Sequence, residues 1–258
     1  MPDKADENPQ KSSAPRATRS VDLFRPRPLA KDTVRYTMLL ADGSEHEFVV
    51  DTQRTTRGLP VLENAPAWAA LEFHRCPDCP YDDSAPLCPT AADLVPVVEP
   101  FHTMVSFDRA HVIVDSPERT IVKDVDVQTA LRSLLGLVMA TSACPVLFEL
   151  RALAENHLPF ATPREATYRV AANHLLKQYF RARRGEAPDL ALDDLRALYA
   201  VLQRLNSALV DRLRTAAKSD ANLNALVLLF SEAALVEASL DDDLRALERL
   251  FDNAAPAN

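Results

Sequence analysis

Cys76-Pro77-Asp78-Cys79-Pro80 is followed by Cys88-Pro89, with eight residues between Cys79 and Cys88, and by Cys144-Pro145 far downstream. These are the only four cysteines in the chain, and a proline follows each of them. With 19 prolines in 258 residues, chance would pair all four about once in tens of thousands of such chains. A residue before proline is pushed out of helical space into an extended conformation, which makes each cysteine a stiff corner from which to aim a sulfur. Thiolates at C-x₂-C spacing suit Zn²⁺, and structural zinc commonly takes four such ligands. Cys76, Cys79, Cys88 and Cys144 are therefore the candidate metal ligands. One ion held by all four would tie the region of residues 76–88 to residue 144 and join two stretches of different character.

The stretch before that joint is mixed. Val34–Leu40 and Glu45–Val50 are β-prone runs around Ala41-Asp42-Gly43-Ser44, and Asp-Gly between such runs is a strong hairpin signal. His111–Val114 and Thr120–Val122 flank Ser116-Pro117-Glu118-Arg119 as a second hairpin. Trp68–Phe73 is a short strand or a helical turn feeding the cysteine loop. Thr90, with Asp93 three places on, predicts a helix start, and Pro96 and Pro100 keep that helix short or kinked.

From about Asp126 onward the pattern is helical. Leu131, Leu134, Leu135, Val138 and Met139 fall at helical spacing. Ser133–Phe148 carries no charge over sixteen residues, too short for the ~20 apolar residues of a membrane span and so read as buried core. Pro145 would open the next helix with Cys144 near its N-cap, where the helix dipole favours a thiolate; that helix runs from about Val146 to Asn156. Thr162-Pro163-Arg164-Glu165 is a capping box opening a helix that ends near Gly185. Helices are expected over Leu190–Ala217, from Ser219 or Asp220 to Glu237, and from a cap at Ser239–Asp242 to Phe251. The expected fold class is α+β: a polar disordered tail (1–20), an α+β part bearing the cysteines (21–125), and a helical bundle (126–258).

Composition excludes some function classes. Only four glycines are present and neither GxGxxG nor GxxxxGK occurs, which removes those nucleotide-binding devices. A net charge of −8 disfavours nucleic acid and anionic membrane surfaces as partners; Arg181, Arg183 and Arg184 read as a solvated helix end. The N-terminal stretch has no apolar signal region, so a cytoplasmic, reducing setting is expected, in which paired cysteines serve as metal ligands or redox thiols more readily than as disulfides. The rivals to zinc are an Fe–S cluster and metal-free redox thiols. Cys76-Pro77-Asp78-Cys79 is similar to the glutaredoxin C-P-x-C motif, but Pro80 would fall in the first turn of the helix that motif requires.

None of the six histidines forms HExxH. His74 stands two residues before Cys76 and could replace one thiol. His157 in His157-Leu158-Pro159-Phe160, with Glu165 and Arg169 on the following helix, is the best candidate for a polar pocket. Asn206, Asp220, Asn222 and Asn224 add polar groups among leucine-rich helices; the ordinary role of Asp220 is a helix cap. Catalytic residues are not assignable.

Taken together, Cys76–Pro80, Leu87-Cys88-Pro89, Leu134–Pro145, His157–Phe160, Gln178-Tyr179-Phe180 and Asp220–Leu226 resemble a family of bacterial proteins known as a domain of unknown function, over about residues 33 to 252. That resemblance implies a bacterial cytoplasmic setting and no particular activity, cofactor or site residue. The expectation is a metal-stabilised regulatory or interaction module whose hairpins or bundle surface bind a protein or small-molecule partner. The alternative is a metal- or thiol-dependent enzyme or redox sensor.

Overall fold

Both predicted hairpins form, and they pair with each other. The computed structural model describes residues 28–54, 62–82, 84–216, 220–249 and 251, so the expected tail over 1–20 lies outside the described residues. Strands β1 (Thr33–Leu40), β2 (Glu45–Asp51), β3 (Arg109–Asp115) and β4 (Thr120–Asp126) build an antiparallel sheet in the order β2-β1-β3-β4. Gly43 takes a φ of +89° in the first turn, a left-handed conformation that glycine adopts without a Cβ clash. The register sets Tyr36 opposite Val114 and Met38 opposite Val112. The two-residue period of a strand therefore gathers Val34, Tyr36, Met38, Leu40, Ala110, Val112 and Val114 into the core. The intervening residues are more polar, and Arg35 pairs there with Glu47 at 3.6 Å.

Helix α1 (Pro89–Val98) lies between the hairpins in sequence, and α2 (Val127–Ala140) follows β4 without a linker. Asp126 ends β4 and caps α2, accepting the Thr129 N–H at 2.9 Å. After a 3-10 turn (Leu147–Leu150) come α3 (Arg151–Glu155), α4 (Pro163–Arg183), α5 (Asp193–Ala216) and α6 (Ala221–Glu248). The fold is thus mixed α+β, a small four-stranded sheet followed mostly by helices. Among the described residues no helix is long and apolar enough to cross a membrane. One hydrophobic cluster runs from Tyr36 and Val112 on the strands through Leu131 and Leu134 on α2 to Leu209, Leu213 and Leu226 on α5 and α6.

Several boundaries differ from expectation for local reasons. The N-cap of α1 is Cys88, with Pro89 as its first residue, two positions ahead of Thr90; proline is well placed there because its absent N–H needs no partner. The start of α5 is delayed from Leu190 to Asp193 because the Asp189 carboxylate accepts the N–H groups of Asp193 and Asp194 at 3.1 and 2.8 Å. The two helices expected after Ser219 are one, α6. Neither glycine nor proline occurs between 221 and 248, so nothing compels a break at the cap-like Ser239–Asp242. The capping box on α4 forms as read, with Thr162 and Glu165 bonding reciprocally.

A hydrogen-bonded relay crosses from the sheet to the helices. Tyr36, fully buried on the central strand β1, places its hydroxyl 2.7 Å from Ser133 Oγ on α2 and 2.6 Å from His157 Nε2. Phe160 N–H donates to Ser133 Oγ at 3.2 Å. Assigning the ring proton of His157 to Nδ1 lets each hydroxyl donate once, from Ser133 to Tyr36 and from Tyr36 to Nε2. Burial, aided by the nearby Arg169 charge, pulls the His157 pKa down from 6.5 to about 3. Between those values the unfolded chain binds a proton that the folded chain refuses, so stability is complete above about pH 6.5 and falls as pH drops toward 3. The urea midpoint of the wild type is expected to decline from pH 7 to pH 5.5, before most carboxylates titrate. His157→Gln should flatten that decline; an unchanged slope in the variant would show that the imidazole is not its source.

Candidate metal centre

The cysteine loop is built from turns rather than regular elements. A 3-10 turn at Ala67–Ala69 leads into an isolated antiparallel bridge between Ala70 and Leu87. Cys88 N–H donates to Ala69 O at 2.9 Å, fixing Cys88 at the start of α1. Within the loop, Cys79 N–H donates to Cys76 O at 3.1 Å, so the Pro77-Asp78 dipeptide is the tip of a tight turn that brings the two flanking thiols side by side. Arg75 braces the loop, donating to Glu72 at 3.0 Å and to the Tyr81 carbonyl.

Cys144 reaches the same place from the end of α2. Its carbonyl accepts Phe148 N–H at 3.0 Å, so Pro145 opens a helical turn as its sequence position implies. Its own N–H faces Ser142 Oγ at 3.4 Å. The segment before it is held to the cysteine loop by Tyr81, whose hydroxyl donates to Ala143 O at 2.9 Å, and to α1 by Thr90 Oγ1, 3.1 Å from Ser142 Oγ.

All four cysteines are free thiols and they are electrostatic neighbours. Burial, then the charges that Cys79, Cys88 and Cys144 would carry as thiolates, push the Cys76 thiol up to about 12. Burial also raises Cys88 and Cys144, against the N–H dipoles of Ala91 and Thr90 at Cys88 and of Leu147 and Val146 at Cys144. None of these dipoles closes a regular cap bond to Cys88. The thiols act on one another, yet among the described residues no three His, Cys, Asp or Glu side chains already stand at metal-holding spacing.

The feature that sequence reading missed is the buried base of this cluster. Arg212 on α5 is 2% exposed. Its Nη1 donates to the carbonyls of Trp68 and Ala70 at 2.8 and 2.5 Å, and its Nη2 to Leu71 at 2.8 Å. Burial lowers its pKa, and the opposing influences are led by Cys88, Cys76 and Cys79, ahead of Glu72. A buried cation is costly without an opposite charge, and the groups placed to supply that charge are the thiols. One helical turn pair earlier, Arg204 grips Asp78 at the loop tip through two bonds of 2.7 and 3.0 Å. In sequence, both arginines were indistinguishable from other charges on an amphipathic helix.

The remaining candidates are scattered. His74 is exposed, its ring edge-on to Phe73 at 4.8 Å. His111 pairs with Asp124 at 2.7 Å, His102 bonds Glu99 O, and buried His174 pairs with Asp189 at 3.1 Å. Asp220 stands at the N-cap of α6, but its side chain caps no helical N–H: its carboxylate accepts Ser106 N–H and Oγ–H at 2.9 and 3.0 Å, binding the helix start to the loop before β3. Asn222, buried on the next turn, donates to Val98 O at 2.9 Å. His157 and Arg169 do line one cavity, while Glu165 stays on the exposed cap.

Arg212→Met strands three carbonyls and is expected to lower the unfolding free energy by about 3 kcal/mol or more, read from urea denaturation. Arg204→Ala, which removes an exposed pair on the same helix, should leave the midpoint nearly unchanged. Equal effects of the two would contradict the distinction drawn between them.

No curated protein and no solved structure matches the chain. The family described as Domain of unknown function (DUF6901) matches residues 34–252, a span that includes the sheet, all four cysteines, Arg212 and the six helices, and the chain belongs to that family.

Proposed function

We propose that Cys76, Cys79, Cys88 and Cys144 hold one structural zinc ion, and that the ion secures a non-enzymatic regulatory or interaction module. The observation that supports this reading is that four free thiols from three chain segments act electrostatically on one another, and that three of them, Cys76, Cys79 and Cys88, also act on the buried Arg212 guanidinium. Four thiolates around Zn²⁺ bear a net charge of about −2, which is the partner a buried cation needs. A site closed by four protein ligands leaves no coordination position for substrate, so the ion's contribution is structural. In a reducing compartment, where the thiols stay free, it would pin the cysteine loop to the end of α2.

An interaction role has its own support. Tyr168, Leu175, Leu176, Tyr179 and Phe180 form an exposed apolar row on α4, with Phe148 beside it. Contiguous apolar surface of that kind marks contact sites. A second reading, a thiol redox sensor, rests on the adjacency of Cys76 and Cys79 in their shared turn.

Elemental analysis and an absorption spectrum of anaerobically purified protein separate these. We expect colourless protein with about one zinc per chain, and we expect Cys144→Ser to lose the metal and melt several degrees lower. Metal-free wild type with an unshifted Cys144→Ser variant would sink the zinc reading. Iron with labile sulfide would replace it by an Fe–S cluster, and a reversible Cys76–Cys79 disulfide in metal-free protein by redox chemistry.

A further inference from the structure

Helix α4 is more apolar on the face it turns to solvent than on the face it buries. Inward it carries Thr167, Val170, Ala171, His174 and Gln178, and the two largest of these are polar. Both are engaged by one residue beyond the helix. His174 Nε2 lies 3.1 Å from an Asp189 carboxylate oxygen, and Gln178 Oε1 accepts Asp189 N–H at 3.0 Å. Outward stand Tyr168, Leu175, Leu176, Tyr179 and Phe180, all exposed. A surface helix ordinarily has the opposite arrangement, so the outward face of α4 is suited to being covered.

We propose that a second copy of this chain covers it, through antiparallel packing of α4 on α4 about a two-fold axis near residue 174. This rests on the reading of the α4 row as a contact surface, and it does not depend on the zinc ion.

The order of residues along the face argues for that occupant. At 3.6 residues per turn, positions 165, 168, 172, 176, 180 and 183 fall within about a third of the helix circumference. They match end for end around position 174: Glu165 with Arg183, Tyr168 with Phe180, and Ala172 with Leu176. In a two-fold contact the same patch meets itself. Antiparallel packing therefore sets a carboxylate against a guanidinium at each end and a ring against a ring inside them. The small Ala172 leaves room for Leu176 near the centre. Parallel packing would set Glu165 against Glu165 and Arg183 against Arg183, and like charges repel. The antiparallel direction also places the negative end of each helix dipole beside the positive end of the other. Both bonds of Glu165 to Thr162 use Oε2, so Oε1 can accept from Arg183 with the cap intact.

The extent of the row suits a stable contact. Phe148 lines one groove with Leu176 and Phe180 and so extends the row sideways. Tyr168, Tyr179, Phe180 and Phe148 are 44–54% exposed. Aromatic side chains of this kind cover about 150–250 Å² each, so the four present roughly 400 Å² per copy. Leu175 and Leu176 enlarge that area. Two copies, with their flanking charged residues, reach the ~1,000 Å² at which specific interfaces begin.

Sedimentation velocity of the full chain, over about 1 to 300 μM, should show a monomer–dimer equilibrium with a Kd on the order of 10 μM. Leu176→Asp, at an exposed position, should raise that Kd at least tenfold with an unchanged circular dichroism spectrum. Arg183→Glu should weaken the dimer several-fold, and adding Glu165→Arg should recover most of the loss. Because Glu165 also serves the cap, a second measurement reads the direction without disturbing it. Tyr168→p-benzoylphenylalanine, irradiated in the dimer, should cross-link to the partner's peptide around residue 180. A wild type that stays monomeric throughout that range overturns the second copy as occupant, and leaves the row as a contact surface for a different protein. A dimer unaffected by Leu176→Asp, or a cross-link from residue 168 to its own counterpart, overturns the proposed packing.

Discussion

The structure depends on the burial of α2 on nearly every side. Leu131, Leu134, Leu135 and Leu137 are all at most 1% exposed, although they point in different directions around the helix axis. A helix buried over so wide an arc cannot lie on a surface; it must be enclosed. The sheet encloses α2 on one side through β3 and β4, and α1 and α6 pack against it elsewhere. Each fully buried leucine is worth about 1.5–3 kcal/mol relative to exposure. The candidate metal centre hangs from this helix, since the chain leaving its C-terminal end presents Cys144 to the other thiols.

What the sequence disclosed was local, and the reasons lie in particular residues. The Asp42-Gly43 turn, the Thr162–Glu165 box and the uncharged run from Ser133 carry their signals within a few positions, and each formed as read. The pairing of β1 with β3 joins residues seventy or more positions apart, which no periodicity encodes. The cysteines could be named as a set because proline marks every one. Arg212 could not, since a buried arginine has the same spacing as an exposed one, and its partners are backbone carbonyls that leave no trace in side-chain identity. Glu165 does not line the cavity of His157 and Arg169, because the cap at Thr162 holds its carboxylate at the surface.

Arginine recurs as the means of holding irregular backbone. Arg212 gathers Trp68, Ala70 and Leu71, and Arg169 gathers Leu153 and Asn156. In each case a planar fork of N–H groups satisfies carbonyls that a turn leaves unpaired, and a positive charge is carried below the surface as a consequence. Of these two charges, the Arg212 guanidinium is acted on by Cys88, Cys76 and Cys79, and that of Arg169 lines a cavity with His157. The bonds that order the loops are therefore also the source of local positive potential.

The distance in sequence between Arg212 and the carbonyls it holds, more than 140 residues, has a consequence for synthesis. A ribosome releases the chain from its N-terminus. Cys76, Cys79 and Cys88 are thus in solution before Cys144 has been made, and all four precede the helix that closes over their loop. For that interval the thiols lack their final neighbours and the guanidinium beneath them. Reagents that attack thiols therefore have their widest access to the nascent protein, and that access narrows once α5 has been made and has packed over the loop.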